Sequence, residues 1–223
     1  MIKELIRKVG DGDPSCFMDD APESLREIYS SMIISLRASS LWSVDNIRHV
    51  FCCVALMSVH SGGRNVYIPY VKSIDERHAF STAISDLISS GNECNSDALR
   101  LSLKSCCMGK YAGKDLKWHE DLSGLINVVI GYMADPVINL NHEVAKLLIA
   151  LIVECLINIG SGRVFYFPAA KSLISSLRRN AVWQEWRSSA NSNVSDLASR
   201  YGVSVPQAYA YIKAAREQNR CQG

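Results

Sequence analysis

The residues best equipped for chemistry lie near the end of the chain. Gln207, Tyr209, Ala210, Lys213, Arg216 and Arg220 fall within one stretch whose pattern suits a single helix. A glutamine amide pairs bidentately with adenine N6 and N7, and a small methyl meets the methyl of thymine. Lysine and arginine neutralise backbone phosphates. Ala208, Tyr211 and Ile212 recur at helical spacing and turn toward a partner helix, which sends Gln207, Tyr209, Ala210 and Lys213 outward or sideways. This is the chemistry of duplex recognition rather than of bond cleavage.

The residues just upstream supply the partner. Val194 to Tyr201 predicts a short helix in which Ala198 lets a neighbour approach closely. Gly202 can take the left-handed turn, Ser204 can cap the following helix, and Pro206 sits in its first turn, where no backbone N–H is needed. Two short helices joined so tightly predict a helix-turn-helix, which places its second helix in the major groove. Arg200 joins Lys213, Arg216 and Arg220 as a candidate phosphate ligand. About six such contacts would make log K fall with log salt at a slope near −5.

Other chemistries find little support. The eight cysteines include the adjacent pairs Cys52–Cys53 and Cys106–Cys107, which cannot chelate as a C-x-x-C knuckle does, so reduced and mostly buried thiols are expected. His142-Glu143-Val144-Ala145-Lys146 lacks the second histidine of a zinc-protease helix. No metal, nucleotide or covalent cofactor is implied, and no catalytic residue is assigned. Met1 to Gly10 carries Glu4, Arg7 and Lys8 and does not read as a secretory signal. Leu147 to Ile159 is apolar but contains Glu154 and falls short of the roughly 20 residues that a membrane span needs. A cytoplasmic protein without membrane contact is expected.

Charge is unevenly spread. Nine of the 24 Lys and Arg residues, but only three of the 22 Asp and Glu, lie at or beyond Gly160. A basic tail on a mildly acidic body suits a nucleic-acid-binding end attached to an assembly body.

That body contains an internal echo. Gly63-Arg64-Asn65-Val66-Tyr67-Ile68-Pro69, followed by Lys72-Ser73, returns 99 residues later as Gly162-Arg163-Val164-Phe165-Tyr166-Phe167-Pro168, followed by Lys171-Ser172. The same offset pairs Asn92 with Asn191 and Ser96-Asp97 with Ser195-Asp196. We read this as a duplication. Each copy predicts a helix (about 22–35 and 121–134), a more apolar helix (about 44–60 and 142–159), a glycine break, a five-residue strand ended by proline, and a further helix (about 74–89 and 173–188). Trp183 and Trp186, three apart on the last of these, are expected in the core. The copies part after that point. Leu103 stands where Gly202 does, and a left-handed leucine costs about 1–2 kcal/mol, so the first copy is expected to lack a working helix-turn-helix. Lys104, Lys110, Lys114 and Lys117 beside Gly109 and Gly113 read as a solvated linker, with a phosphate-touching strap as the other option.

Gly-x-x-x-Tyr-x-Pro before a helix, followed by Asp196-Leu197-Ala198, Tyr201-Gly202, Ser204 and Tyr209-x-x-Ile212-Lys213, resembles the Mor/C family of phage Mu-type transcription activators. The likeness covers Asp121 to Arg220 well and Pro22 to Ser105 more weakly. It implies a helical dimerisation domain, a short strand and a helix-turn-helix, acting on double-stranded DNA and recruiting RNA polymerase. It also implies that the strand joins its counterpart across a dimer and approaches DNA. Here the two strands can pair within one chain, with Arg64, Tyr67, Arg163 and Tyr166 as minor-groove or backbone contacts; a core role for the two tyrosines is the alternative. The family commonly has a polar residue where Ala169 and Ala170 follow the proline, and often has one where Val205 and Ala210 stand, which bears on target sequence and affinity rather than fold.

The fold expected is mainly α, with two Mor-like helical halves, one short strand in each, and a C-terminal helix-turn-helix. Its parts are an N-terminal extension (1–21), a first half (22–105), a linker (106–120), a second dimerisation-like unit (121–170) and the DNA-binding domain (171–223). Tandem copies rebuild a dimer interface within one chain, and self-association or a related regulator is expected to supply a second reading head. Two other readings compete: an interaction protein that heterodimerises with a relative, and a recombinase-like enzyme. The latter needs a nucleophilic serine near clustered arginines on an α/β core, which the first 120 residues do not suggest.

Overall fold

Residues 14–68, 118–160, 163–188 and 193–220 are described by a computed structural model. The expected helix at 74–89, Leu103 with the expected loss of a helix-turn-helix there, residues 106–117 of the expected linker, Pro69 and Gly162 lie outside those residues. The chain divides into two units: Pro22–Ala170, and Met1–Ala21 together with Lys171–Gly223. Seven α-helices and one two-stranded sheet among the described residues make the fold mainly α.

In the first unit, α1 (Glu23–Arg37) buries Leu25, Ile28, Tyr29, Met32 and Leu36, the three- and four-residue rhythm of a helix with one apolar stripe. Pro22 precedes it with extended backbone, as befits a residue whose ring fixes φ and blocks an earlier start. Helix α2 (Val44–Ser61) begins at Ser43, whose hydroxyl accepts the Asn46 N–H at 3.1 Å. It is buried on nearly every side, as its lack of a polar face requires. Beyond it the chain reverses at Gly63, at φ 80°, and enters strand β1 (Arg64–Tyr67). Helices α3 (Trp118–Met133) and α4 (His142–Gly160) and strand β2 (Val164–Phe167) repeat that order.

The strands pair antiparallel, with Val66 opposite Phe165 and Asn65 opposite Tyr166. Each is one residue shorter than the alternation suggests. Ile68 still donates its N–H to the Arg163 carbonyl at 3.2 Å. At the opposite end the Gly63 N–H reaches the Phe167 carbonyl at 2.8 Å, and Pro168 has no N–H with which to carry the ladder on. Val66, Ile68 and Phe167 face the core, whereas Val164 and Tyr166 are 63% and 53% exposed.

Helices exchange partners between the earlier and later parts of this unit, although α1 packs on α2 as well. Helix α1 packs on α4 and α3 on α2; likewise α1 lies against β2 and α3 against β1. Polar ties accompany both exchanged pairs. The Cys155 thiol donates to Ser35 Oγ at 3.2 Å across α1 and α4, and His49 Nδ1 lies 3.1 Å from the Tyr132 hydroxyl across α2 and α3. The Ser58 hydroxyl, fully buried, donates to the Pro168 carbonyl at 2.8 Å and so fixes the end of β2.

Burial also sets the chemistry of this unit. It pushes the Cys52 thiol up to about 12 and raises those of Cys53 and Cys155, so these cysteines stay protonated and poorly nucleophilic at neutral pH. Among the described residues, no three His, Cys, Asp or Glu side chains gather as metal ligands, and no helix is long and apolar enough to cross a membrane.

Candidate nucleic-acid interface

The second unit is built on α5 (Lys171–Ser188), which packs against both α6 (Val194–Tyr201) and α7 (Val205–Arg220). A 3-10 turn at Pro14–Met18 packs on α5 as well. Asp20 completes that attachment: its carboxylate accepts from Ser176 Oγ at 2.8 Å and pairs with Arg179 at 2.9 Å.

Helix α6 starts at Asn193, whose side-chain oxygen accepts the Ser195 N–H at 3.0 Å. It buries Leu197, Ala198 and Tyr201 and ends at Gly202, at φ 61° and ψ 41°. The Val203 N–H reaches the Ala198 carbonyl at 3.0 Å and the Gly202 N–H reaches that of Ser199 at 3.3 Å. This pair of bonds satisfies two helix-end carbonyls and requires the left-handed residue between them. Ser204 then caps α7, accepting the Gln207 N–H at 3.3 Å, with Pro206 in the first turn.

Helix α7 has two distinct faces. Ala208, Ile212 and Ala215 are buried, while Val205, Pro206, Gln207, Tyr209, Ala210 and Lys213 are exposed, Tyr209 at 58%. Tyr211 is half-buried and bridges the faces. Its hydroxyl lies 3.1 Å from Ser175 Oγ on α5 and accepts a bond from Gln207 Nε2 at 2.8 Å. Gln207 is thereby held at the boundary of the outward face.

Of the four candidate phosphate ligands here, two are engaged by α5. Arg200 forms an ion pair with Glu185, and Arg216 lays its guanidinium over the Trp186 ring, 4.3 Å from the centroid. Lys213 is exposed on the outward face, and Arg220 closes α7 with its side chain outside the described residues. Trp183 and Trp186 correct a sequence expectation. They are half-buried rather than core, their rings stacked at 5.5 Å and 22°. The three-residue spacing that suggested a core stripe also stacks two indoles on one helix face, where an arginine from α7 covers the outer ring. Sequence reading missed Glu185 altogether. It accepts the Tyr201 hydroxyl at 2.5 Å as well as pairing with Arg200, and nothing in its local pattern marks it out.

The strand residues belong to the other unit. Arg64, Arg163 and Tyr166 are exposed, Arg64 lies opposite Phe167, and Tyr67 opposes Val164 with its own side chain outside the described residues. Tyr166 is thus on the open face of the ribbon, not in the core.

Residues 116–222 match the model of the Mor transcription activator family. No curated protein and no solved structure matches the chain.

Proposed function

We propose, from the match of residues 116–222 to the Mor transcription activator family, that the chain is a sequence-specific DNA-binding activator that reads the major groove with α7. The observation that carries this reading is the division of α7. One face is spent on Ala208, Ile212 and Ala215, and the other leaves Gln207, Tyr209, Ala210 and Lys213 open beyond a left-handed glycine turn. A helix held by one small, apolar face and open on the other is what a groove about 12 Å wide can admit. In this reading α6 and α7 are a helix-turn-helix.

Gln207 is the base reader. Its amide has two hydrogens, and the Tyr211 hydroxyl takes one of them. The other hydrogen and the carbonyl oxygen remain available for adenine N7 and N6. Tyr211, itself tied to Ser175, orients the amide before the duplex arrives. Ala210 meets a thymine methyl, and Tyr209 packs on the groove wall. Ser204 at the helix N-terminus, Lys213, Arg200, Arg216 and Arg220 serve the phosphates.

We read the body as two tandem copies that rebuild a dimer interface within one chain. The exchanged packing of α1 with α4 and of α3 with α2 supports this, as does a ribbon centred on Val66 and Phe165, which stand 99 residues apart like the echoed motifs. The ribbon's open face, with Tyr166, and the exposed Arg64 and Arg163 at its two ends are a second contact to the duplex. Association with another chain supplies a second head, and RNA polymerase is the partner in activation.

A binding selection from random duplexes, run with the parent, Gln207→Ala and Lys213→Ala, tests the assignment. Gln207→Ala relaxes preference at one adenine, with a loss of about 1–3 kcal/mol on the best site. Lys213→Ala weakens all duplexes alike and lowers the salt slope by about one. Parent-like binding by both variants removes α7 from the interface.

A further inference from the structure

We propose that Glu185 is a built-in competitor for DNA phosphate: it holds Arg200 in the free protein and yields it to the sugar-phosphate backbone when a duplex docks. The proposal rests on the DNA-binding reading and adds to it a residue that no base or phosphate touches. Glu185 is a positioning residue that acts through Arg200.

Three observations lead there. Arg200 stands in the last turn of α6, two residues before the Gly202 turn that opens α7. Its side chain is 57% exposed even while paired, so its guanidinium can be reached from solvent without any helix moving. The Glu185 side chain is only 17% exposed, and it is fixed from a second direction by the Tyr201 hydroxyl at 2.5 Å. The acid is therefore the rigid member of the pair and the arginine the movable one. A carboxylate and a phosphate present similar paired oxygens to a guanidinium fork, so one can replace the other at Arg200. When Arg200 leaves, the Tyr201 hydroxyl still satisfies a Glu185 oxygen, and the acid is not stranded.

The consequence is a threshold on binding. Each docking event must break the Arg200–Glu185 pair before Arg200 gains a phosphate, so the net contribution of Arg200 is the difference between two similar contacts. Phosphate contacts carry no sequence information themselves. The competitor therefore lowers affinity for every duplex alike and leaves base reading by α7 to decide where the protein stays. Arg216 differs, because its partner is the Trp186 ring rather than an anion, and stacking leaves the guanidinium edge free to meet phosphate.

The experiment is a thermodynamic cycle on the full chain, titrating one selected and one scrambled duplex over a range of salt. Glu185→Gln keeps an oxygen acceptor for Tyr201 but loses the charge that holds Arg200. It is expected to tighten both duplexes about two- to fivefold, the range of a partly exposed ion pair, with little change in their ratio. Arg200→Ala is expected to weaken both and reduce the salt slope by about 0.9. In the Arg200→Ala background, Glu185→Gln is expected to gain nothing. Equal gains with and without Arg200 would mean general charge repulsion and overturn the proposal. So would a loss of affinity by Glu185→Gln at unchanged melting temperature. Tyr201→Phe, which removes the second hold on the acid, is expected to lower the melting temperature and leave the salt slope unaltered; a changed slope also counts against the mechanism. If the parent binds neither duplex at low salt, the DNA-binding reading falls and this proposal with it. If the parent binds and the cycle shows no coupling, the proposal alone falls.

Discussion

Asn65 and Tyr166 lie opposite each other on the open face of the two-stranded ribbon. Both strands belong to one chain, so this contact forms within a single copy rather than between two copies. The distinction is measurable. Asn65→Cys combined with Tyr166→Cys is expected to form a disulfide under mild oxidation, because directly opposed strand residues have Cα separations within disulfide reach. On a non-reducing gel the product runs as a monomer, and mapping by mass spectrometry links the two positions. A covalent dimer through these cysteines would place the ribbon between chains instead.

Gly202 makes a second test local to the turn between α6 and α7. At φ 61° a Cβ is strained whatever space surrounds it, and no atom lies within 4 Å to clash. Gly202→Ala is therefore expected to lower stability by about 1–2 kcal/mol through backbone strain alone. Gly202→Asn should lose less, because asparagine tolerates the left-handed region. Thermal unfolding of the two variants beside the parent gives the order; equal melting of all three would remove the turn as the reason for glycine here.

Much of this architecture was legible because it depends on local rules. Asn193, Gly202 and Ser204 mark the ends of α6 and the start of α7 through capping and left-handed backbone, which act over a few residues. The apolar rhythm of Leu25, Ile28, Met32 and Leu36 gave α1 in the same way. The partners of charged side chains were not legible. Arg200 and Arg216 read as phosphate ligands from charge and helix face, yet Glu185 and Trp186, neighbours on α5, take one each. Those contacts depend on how α5 crosses two other helices, which no short pattern encodes. The exchanged packing of the body is a long-range property of the same kind. The pairing of α1 with α4 appears only in three dimensions.

His49 makes the body sensitive to acid. Burial between α2 and α3 lowers its pKa below the ordinary 6.5, outweighing the attraction of Asp45, while Arg48 pushes the same way as burial. The folded state thus prefers neutral imidazole, and the unfolded chain binds the extra proton first. Stability from this group is complete above pH 6.5 and is lost as pH falls below that value toward the lowered folded pKa. The melting temperature is expected to drop between pH 7.5 and 5.5, and His49→Gln to flatten that part of the drop. An equally steep profile in His49→Gln would assign the acid sensitivity to other groups.

Arg216 separates a structural from an electrostatic role within α7. Its guanidinium covers Trp186, which stacks in turn on Trp183, so the arginine joins α7 to α5 through a ring face. A cation over an indole at a partly exposed site contributes about 0.5–1 kcal/mol, and lysine reproduces the charge without the planar stacking. Arg216→Lys is therefore expected to shift the tryptophan emission and lower the melting temperature slightly, while retaining most of the salt dependence of duplex binding. Arg216→Ala should show the same loss of stability and, in addition, a salt slope reduced by about 0.9 if the outer edge of the guanidinium meets a phosphate. Lys213→Ala is the reference, since Lys213 is exposed and belongs to the outward face. It should reduce the slope without moving the melting temperature or the emission. Identical behaviour of the two alanine variants would mean that the Trp186 contact contributes nothing to holding α7 in place.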